Sequence, residues 1–406
     1  MKKLIQINPV IRQTTSTGRI MLEIADLAMC DGWDCYVAYS GGRDGHHVCA
    51  PATVPVGGKL SVVWHGILTR LFDRHGLGSK VATRRFVRKL KEIDPDVIHI
   101  HNIHGYFLNY QILFRYLSTC GKPVVWTVHD CWLFTGHCYH YDSVGCEKWK
   151  EGCNHCPQKT AFPSSYIVDR SKQNYRDKRQ AFLSVPASKF HVVVVSDWMK
   201  REMATSFLKD CTFHTIHNGI DTEVFHPYSG SSFREPGKYL LLGVASIWSK
   251  EKGLDDFVEI ASKLKDNETL LLVGISEALA KKMPKNIRVL PRTADVKQLA
   301  EIYSAADVFL NLTYQDNYPT VNMEAMACGT PVVTYDTGGS VETIAADTGF
   351  VVPKGNIDAV LNAVREVEKA DRNLMRTRCR EHASSRFSRD ACYHQYIDLY
   401  NQLLGE

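Results

Sequence analysis

Tyr314-Gln-Asp-Asn-Tyr-Pro-Thr-Val-Asn-Met-Glu-Ala-Met-Ala-Cys-Gly-Thr-Pro-Val-Val-Thr334 decides the reading of this chain. The apolar run Val308-Phe-Leu-Asn-Leu312 leads into it and predicts a buried strand. The polar loop that follows holds Asp316. Pro319 suits the first turn of a helix, where its missing N–H has no intrahelical partner to lose. That helix carries Glu324 and ends at Cys328-Gly329, since Gly accepts the left-handed cap. Pro331-Val-Val-Thr334 predicts the next buried strand, and Thr337-Gly-Gly-Ser340 the turn that opens another helix. Two helix N-termini and two carboxylates thus fall beyond the C-terminal ends of neighbouring parallel strands, where open α/β sheets bind ligands. Free N–H groups at a helix start attract phosphate. A carboxylate beside them accepts hydrogen bonds from ribose or sugar hydroxyls.

The segment Asp316-x7-Glu324, followed by Ala-Met-Ala-Cys-Gly-Thr-Pro-Val-Val, closely resembles the E-x7-E segment of retaining GT-B glycosyltransferases of family 4. Those enzymes move a sugar from a nucleotide-diphosphate donor. The first Glu of the pattern is Asp316 here, shorter but of the same charge. The resemblance implies an α/β GT-B fold, two doubly wound Rossmann-like domains facing across a cleft. It also implies roles: Glu324 on the ribose, Asp316 at the donor sugar with Asn317 beside it, and the diphosphate held by Lys252 and the Gly338-Gly339 turn. A Lys before a helix-starting Gly can hold a diphosphate as a point charge. Ser246-Ile-Trp-Ser-Lys-Glu-Lys-Gly253 matches the family's Gly-Arg-Leu-x-x-x-Lys-Gly at Lys252-Gly253. Ile247 stands where the family has Arg, and Lys250 is the candidate replacement. Asn218-Gly219 resembles the family's Asn-Gly before the interdomain linker and implies a place at the cleft. Retention and transfer without a metal cofactor also follow from the resemblance.

The 406 residues are too many for one ordinary core and fit two α/β domains. The first is expected over 1–225, a linker over 226–236, the second over 237–386, and a C-terminal helix over 387–406 that the resemblance returns to the first domain. The linker reading rests on the Pro, Gly and Ser of His226 to Gly237. No apolar run has the length of a membrane span, and Met1-Lys-Lys-Leu-Ile-Gln-Ile-Asn-Pro9 reads as a first strand rather than a signal segment. A cytoplasmic protein is expected. The net charge of +5 makes no case for nucleic acid and permits an anionic donor or an anionic membrane surface.

Along the first half, Leu4–Ile7, Tyr36–Tyr39, Val97–His101, Val124–Val128 and His191–Val195 are short apolar runs that predict buried parallel strands. A helix is expected from about Gly18 to Met29, with Ser16 or Thr17 as its cap and Gly18 and Arg19 facing the cleft or, equally, belonging to an ordinary capped helix. Val62 to Phe72 is largely apolar, and Lys80, Arg84, Arg85, Arg88, Lys89 and Lys91 follow at helical spacing. This reads first as a core helix and then a solvated one; the rival is a face resting on an anionic bilayer. The resemblance favours the rival, because many relatives act on lipid-linked acceptors.

His101, Asn102 and His104 end one strand and His129 another, where ligand contacts are expected. The resemblance puts His129 against the donor sugar; the other three are candidates for the acceptor side. Cys138-x7-Cys146-x6-Cys153-x2-Cys156 crowds four of the chain's thirteen Cys into a loop-like stretch. Four thiolates can close a structural zinc site, and free thiols are the alternative. The N-terminal pattern looks like enzymes that build bacterial surface polysaccharides. The expected activity is therefore transfer from a nucleotide sugar to a glycan or lipid-linked acceptor, at or near the inner face of the plasma membrane. A nucleotide-sugar epimerase of the same fold and a non-catalytic nucleotide-sugar binding protein are the rivals.

Overall fold

The computed structural model describes residues 1–13, 15–41, 51–230 and 232–406. The chain forms two compact units, Met1–His217 with Cys392–Glu406, and Asn218–Ala391. Residues 218–225, expected in the first domain, belong with the second.

The first unit runs β1 (Lys3–Ile7), α1 (Ser16–Cys30), β2 (Asp34–Ser40), β3 (Ala52–Val56), α2 (Lys59–Phe72), α3 (Lys80–Ile93), β4 (Val97–Ile100), α4 (Tyr110–Leu117), β5 (Val124–Val128), α5 (Ser171–Phe182), β6 (Phe190–Val194), α6 (Asp197–Met203) and β7 (Thr212–Thr215). Among the described residues these strands make one parallel sheet in the order β3-β2-β1-β4-β5-β6-β7. Alternate residues feed opposite faces. Ile5, Ile7, Ile98, Ile100 and Val124 join the core with Phe107, Phe114, Trp126 and Phe182. Leu4, Val97, Val125 and Val193 join Ile20 and Ile24 of α1 on the other face. The C-terminal helix, Arg389–Leu404, completes that second face with Tyr393, Tyr396, Ile397 and Tyr400. Its Tyr400 hydroxyl donates to Nδ1 of His99 at 2.6 Å.

The second unit runs β8 (Tyr239–Val244), α7 (Leu254–Ser262), β9 (Glu268–Val273), α8 (Glu277–Ala280), β10 (Ile287–Leu290), α9 (Val296–Ala305), β11 (Val308–Asn311), α10 (Thr320–Ala327), β12 (Val332–Tyr335), β13 (Gly349–Val352), α11 (Ile357–Lys369) and α12 (Arg372–Arg386). The parallel order among the described residues is β10-β9-β8-β11-β12-β13. Strand order reverses between β1 and β4 in one sheet and between β8 and β11 in the other. Each reversal opens a crevice at the carboxyl ends of those strands.

Three local expectations change. Thr15, not Ser16 or Thr17, precedes the first helical residue of α1, and its hydroxyl is spent on Arg12 O. Pro319 stands at the cap position of α10, one residue ahead of the first turn. Gly338–Thr343 forms a 3-10 segment instead of an α-helix. Gly338 has φ +52°, which an α-helix does not accept, and the segment reverts to extended backbone at Ile344.

A fourth change is larger. Helix α2 buries His65, Gly66 and Thr69 and exposes Leu60, Val63, Trp64, Ile67 and Phe72. The core-helix reading of this stretch is overturned: the helix is inside out. His65 explains the inversion. Its Nε2 accepts from the N–H groups of Gly76 and Gly78, at 3.0 and 3.2 Å, and its Nδ1 meets Ser79 Oγ at 3.1 Å. A Cβ on Gly78 would sit 2.5 Å from that ring. The imidazole thus ties the turn between α2 and α3, and the apolar side chains are left on the other side.

Candidate active site

The crevice of the second unit gathers the expected donor residues. The turn Lys250–Lys252 follows β8 and is stitched to the loop after β11: Tyr314 N–H and Thr313 Oγ1 both donate to Glu251 O, at 2.8 and 3.2 Å. Gly253 closes the turn with φ +73°, and a Cβ there would lie 2.3 Å from Leu312 O. Only Gly lets the two loops approach this closely. The result is a direct contact: Lys252 Nζ stands 3.0 Å from Asp316 Oδ2 and 3.5 Å from Thr313 Oγ1. Both side chains keep access to solvent, at 39 and 21 %.

The floor beneath is a chain of buried amides and hydroxyls. Asn311 Nδ2 donates to Asn322 Oδ1 at 2.8 Å, and Asn322 Nδ2 to Thr343 Oγ1 at 2.9 Å. Thr337 Oγ1 donates to Thr313 O at 2.9 Å. These bonds fix α10 and the Gly338-Gly339 turn against the end of β11. Glu324, on α10, is 4 % exposed and accepts from the Tyr303 hydroxyl at 3.4 Å. Asn317 is buried nearby in the chain, and Asn218 Nδ2 donates to Tyr318 O at 3.3 Å. Lys250 stands in solvent, 3.7 Å from Asp255, and Ile247 is exposed. Asp295 caps α9 through Gln298 N–H.

In the first unit, His129 follows β5. Its Nε2 lies 3.0 Å from Nδ1 of His101, and the rings stack at 5.3 Å. His101 Nε2 in turn meets Gln6 Oε1 at 2.8 Å. His101 is fully buried with both ring nitrogens engaged, which withdraws it from the acceptor side. Burial holds its pKa well below the ordinary histidine range, helped by His99 and His129. Burial also lowers His129, to about 4, against the pull of Asp130. His104 is committed to Asp130 at 2.7 Å, and Asn102 is half-buried. Burial alone would raise the Asp130 carboxyl; the charge and hydrogen bond of His104 and the Trp132 N–H bring it to about 2. Gly18 has no room for a side chain, since a Cβ would lie 2.5 Å from Thr15 Oγ1, and Arg19 beside it is half-buried.

Two family models match nearly end to end: Glycosyltransferase Family 4 over residues 31–224 and Glycosyl transferases group 1 over residues 230–386. The chain belongs to these glycosyltransferases. The colanic acid biosynthesis glycosyl transferase WcaC of Escherichia coli K12 is 24 % identical over 98 % of this chain and 100 % of its own length. An alpha-maltose-1-phosphate synthase of Mycobacterium tuberculosis is 31 % identical, over 38 % of this chain and 46 % of its own. Among solved structures, the sucrose-phosphate synthase of Thermosynechococcus elongatus superposes with a TM-score of 0.74 at 18 % identity, each chain covered in full. Anabaena HepE, solved with UDP and with UDP-glucose, gives 0.68 at 15 % identity over 99 % of this chain and 100 % of its own. Both share the GT-B fold.

In this glycosyltransferase the four cysteines of the loop line one cavity of about 10 Å³, with His137 and Trp149. Cys138 and Cys156 hydrogen-bond each other, and Cys153 Sγ accepts from Gly136 N–H at 3.1 Å. In that arrangement no three His, Cys, Asp or Glu side chains among the described residues stand where one ion could be held. Sequence reasoning missed Gln6 and Tyr303. Gln6 had a visible signal, a polar residue inside the buried run Leu4–Ile7; Tyr303 had none.

Proposed function

We propose that this glycosyltransferase moves a sugar from a nucleoside-diphosphate sugar, with retention at the anomeric carbon, to a lipid-linked glycan of the surface-polysaccharide kind. The observation that carries the reading is the Lys252–Asp316 contact at the strand-order reversal of the second unit. In the empty site each charge neutralises the other. An arriving diphosphate takes the ammonium, which frees the carboxylate to accept from hydroxyls of the sugar. Negative charge grows on the departing nucleotide, and a cation already in place there lowers the barrier. Glu324 serves the ribose, Asn317 and Asn218 shape the same loop, and no metal takes part in transfer. The complexes of HepE with UDP and UDP-glucose support the donor class, and the kinship with WcaC supports the acceptor class.

The acceptor's location is supported by α2 and α3. The exposed Leu60, Val63, Trp64, Ile67 and Phe72 adjoin the exposed cations Lys80, Arg84, Arg85, Arg88 and Lys89. Between the two helices lies a cavity of about 930 Å³. Apolar side chains beside a basic stripe suit the anionic inner face of a membrane. The deciding experiment is nucleotide release with and without a lipid-linked acceptor, together with the anomeric configuration of the product. Release that ignores the acceptor, with the donor sugar returned as its epimer, would replace transfer by epimerisation.

We also propose that the cysteine loop closes on one zinc ion. Its support is the convergence of Cys138, Cys146, Cys153 and Cys156 on a cavity of about 10 Å³, near the least space that holds a water. Closure turns the thiols out of their present hydrogen bonds and offsets the entropy of ordering a loop made of short turns. Purified protein should carry one zinc per chain by elemental analysis. Zinc-free protein with all four thiols open to titration would end the idea.

A further inference from the structure

The hydrogen bonds around His129 fix where its protons lie. Gln6 Nε2 donates to Met21 O at 2.9 Å, so the Gln6 amide has its oxygen turned to His101. That oxygen can only accept, so His101 Nε2 carries a proton. A neutral His101 then has a bare Nδ1, which must accept from His129 Nε2–H. A neutral His129 with its proton on Nε2 has a bare Nδ1. Among the described residues that Nδ1 has no hydrogen-bond partner, and it is not among the sealed, unsatisfied nitrogens.

We infer that Gln6 and His101 are positioning residues that hold His129 as an acceptor-only imidazole, its bare Nδ1 offered to a hydroxyl of the bound donor sugar. The inference rests on the donor reading above and narrows it to a substrate class. A sugar with a hydroxyl at that place donates to the lone pair. A uronic acid, with a carboxylate there, brings two acceptors against an acceptor and is rejected. Buried groups of fixed polarity discriminate in this way because the wrong partner leaves them unpaired. Gln6 is fully buried in β1, His101 is fully buried after β4, and Trp126 Nε1 donates to His101 O at 3.2 Å. The relay is therefore held by the sheet itself.

The test reads the tautomers directly. Protein labelled with 15N-histidine, with His129 assigned through His129→Asn, should show a pyridine-like Nδ1 and a protonated Nε2 at His129 in the free wild type. Gln6→Leu should mix the two tautomers, and Gln6→Glu, which keeps an oxygen at the same place, should restore the wild-type pattern. A wild-type His129 protonated on Nδ1, or a Gln6→Leu spectrum unchanged at His129, overturns the relay. The wild-type spectrum decides by itself should Gln6→Leu not fold. Titration with UDP-glucose and UDP-glucuronate then reads the consequence. UDP-glucose should bind the wild type at least tenfold more tightly than UDP-glucuronate, and Gln6→Leu should weaken it about tenfold, the worth of one hydrogen bond. Equal affinity for the two sugars overturns the acceptor-only role. Failure of either to bind, with the tautomers as stated, overturns the donor reading and leaves the relay standing.

Discussion

At the scale of residues, the donor site is an arrangement of charge before it is a fold. Lys252 and Asp316 are held 3.0 Å apart by loops that Gly253 allows to touch. The ammonium acts as a compact charge at that distance, and a guanidinium is longer and forked. Lys252→Ala should therefore weaken nucleotide binding and lower kcat/KM by at least about a hundredfold, the scale of losing a charged transition-state contact. Lys252→Arg should recover little of it. Glu324→Ala should abolish transfer while the fold survives, because α10 is also anchored by Asn322. Steady-state kinetics beside far-ultraviolet circular dichroism checks both. Wild-type turnover in Glu324→Ala would remove that carboxylate from the site. The spacing Asp316-x7-Glu324 made these residues legible, but their contacts were not. Nothing in the sequence says that Lys252, in a loop 64 positions upstream, reaches Asp316.

At the scale of elements, α2 teaches most. Its composition promised a core helix, and its side chains face the other way. Periodicity says which residues share a face, and it is silent on which face meets solvent. The inversion depends on one imidazole that accepts two backbone N–H bonds and must therefore stay neutral. Burial pushes the His65 pKa from 6.5 to about 4. The folded state thus binds fewer protons than the unfolded chain between those values. Stability from this group is complete above pH 6.5 and drains away as pH falls toward 4. Between pH 7 and 5 the loss attributable to His65 should be about 2 kcal/mol. Urea unfolding at the two pH values should show a drop in wild type that is smaller by about that amount in His65→Gln. The exposed face makes its own prediction. Full-length protein should sediment with phosphatidylglycerol vesicles and not with phosphatidylcholine ones. Trp64→Ser with Ile67→Ser, or high salt, should release it. Retention by neutral vesicles would point to the apolar face alone.

The edges of the sheets were harder to read than their centres. Strands β1, β4, β5 and β6 are apolar along nearly their whole length because both faces are covered. Strands β3 and β7 lie at the two ends of the same sheet, and most of their residues keep some exposure. With one side in water, Ala52–Val56 and Thr212–Thr215 carry no continuous apolar signal, so the sequence reading passed over them. The 3-10 segment at Gly338 is legible as a turn and not as a helix type. That choice is made by φ at one glycine and by the bonds of Thr337 and Thr343.

At the scale of the whole molecule, the chain's last helix belongs to its first unit. Tyr393, Tyr396 and Tyr400 are buried against Leu4, Val97, Val125 and α1, so one face of the first sheet is unfinished until residue 400 has been made. The hydroxyls do part of this work. Tyr400 donates to His99 Nδ1 at 2.6 Å, and Thr127 Oγ1 meets both His99 Nε2 at 2.8 Å and Tyr396 OH at 3.0 Å. His99 is itself fully buried beside His101, so its nitrogens have no water to turn to. Tyr400→Phe keeps the ring and removes the one donor that Nδ1 has. The orphaned acceptor should cost about 1–3 kcal/mol. The loss should fall on the first unit, because the second contains none of these partners. Hydrogen exchange under native conditions separates the two cases: amides of β1, β4 and β5 should lose protection in Tyr400→Phe, while those of β8, β11 and β12 keep theirs. An equal loss of protection in both sheets would mean that the two units unfold as one, and that the final helix secures the molecule rather than the unit it covers.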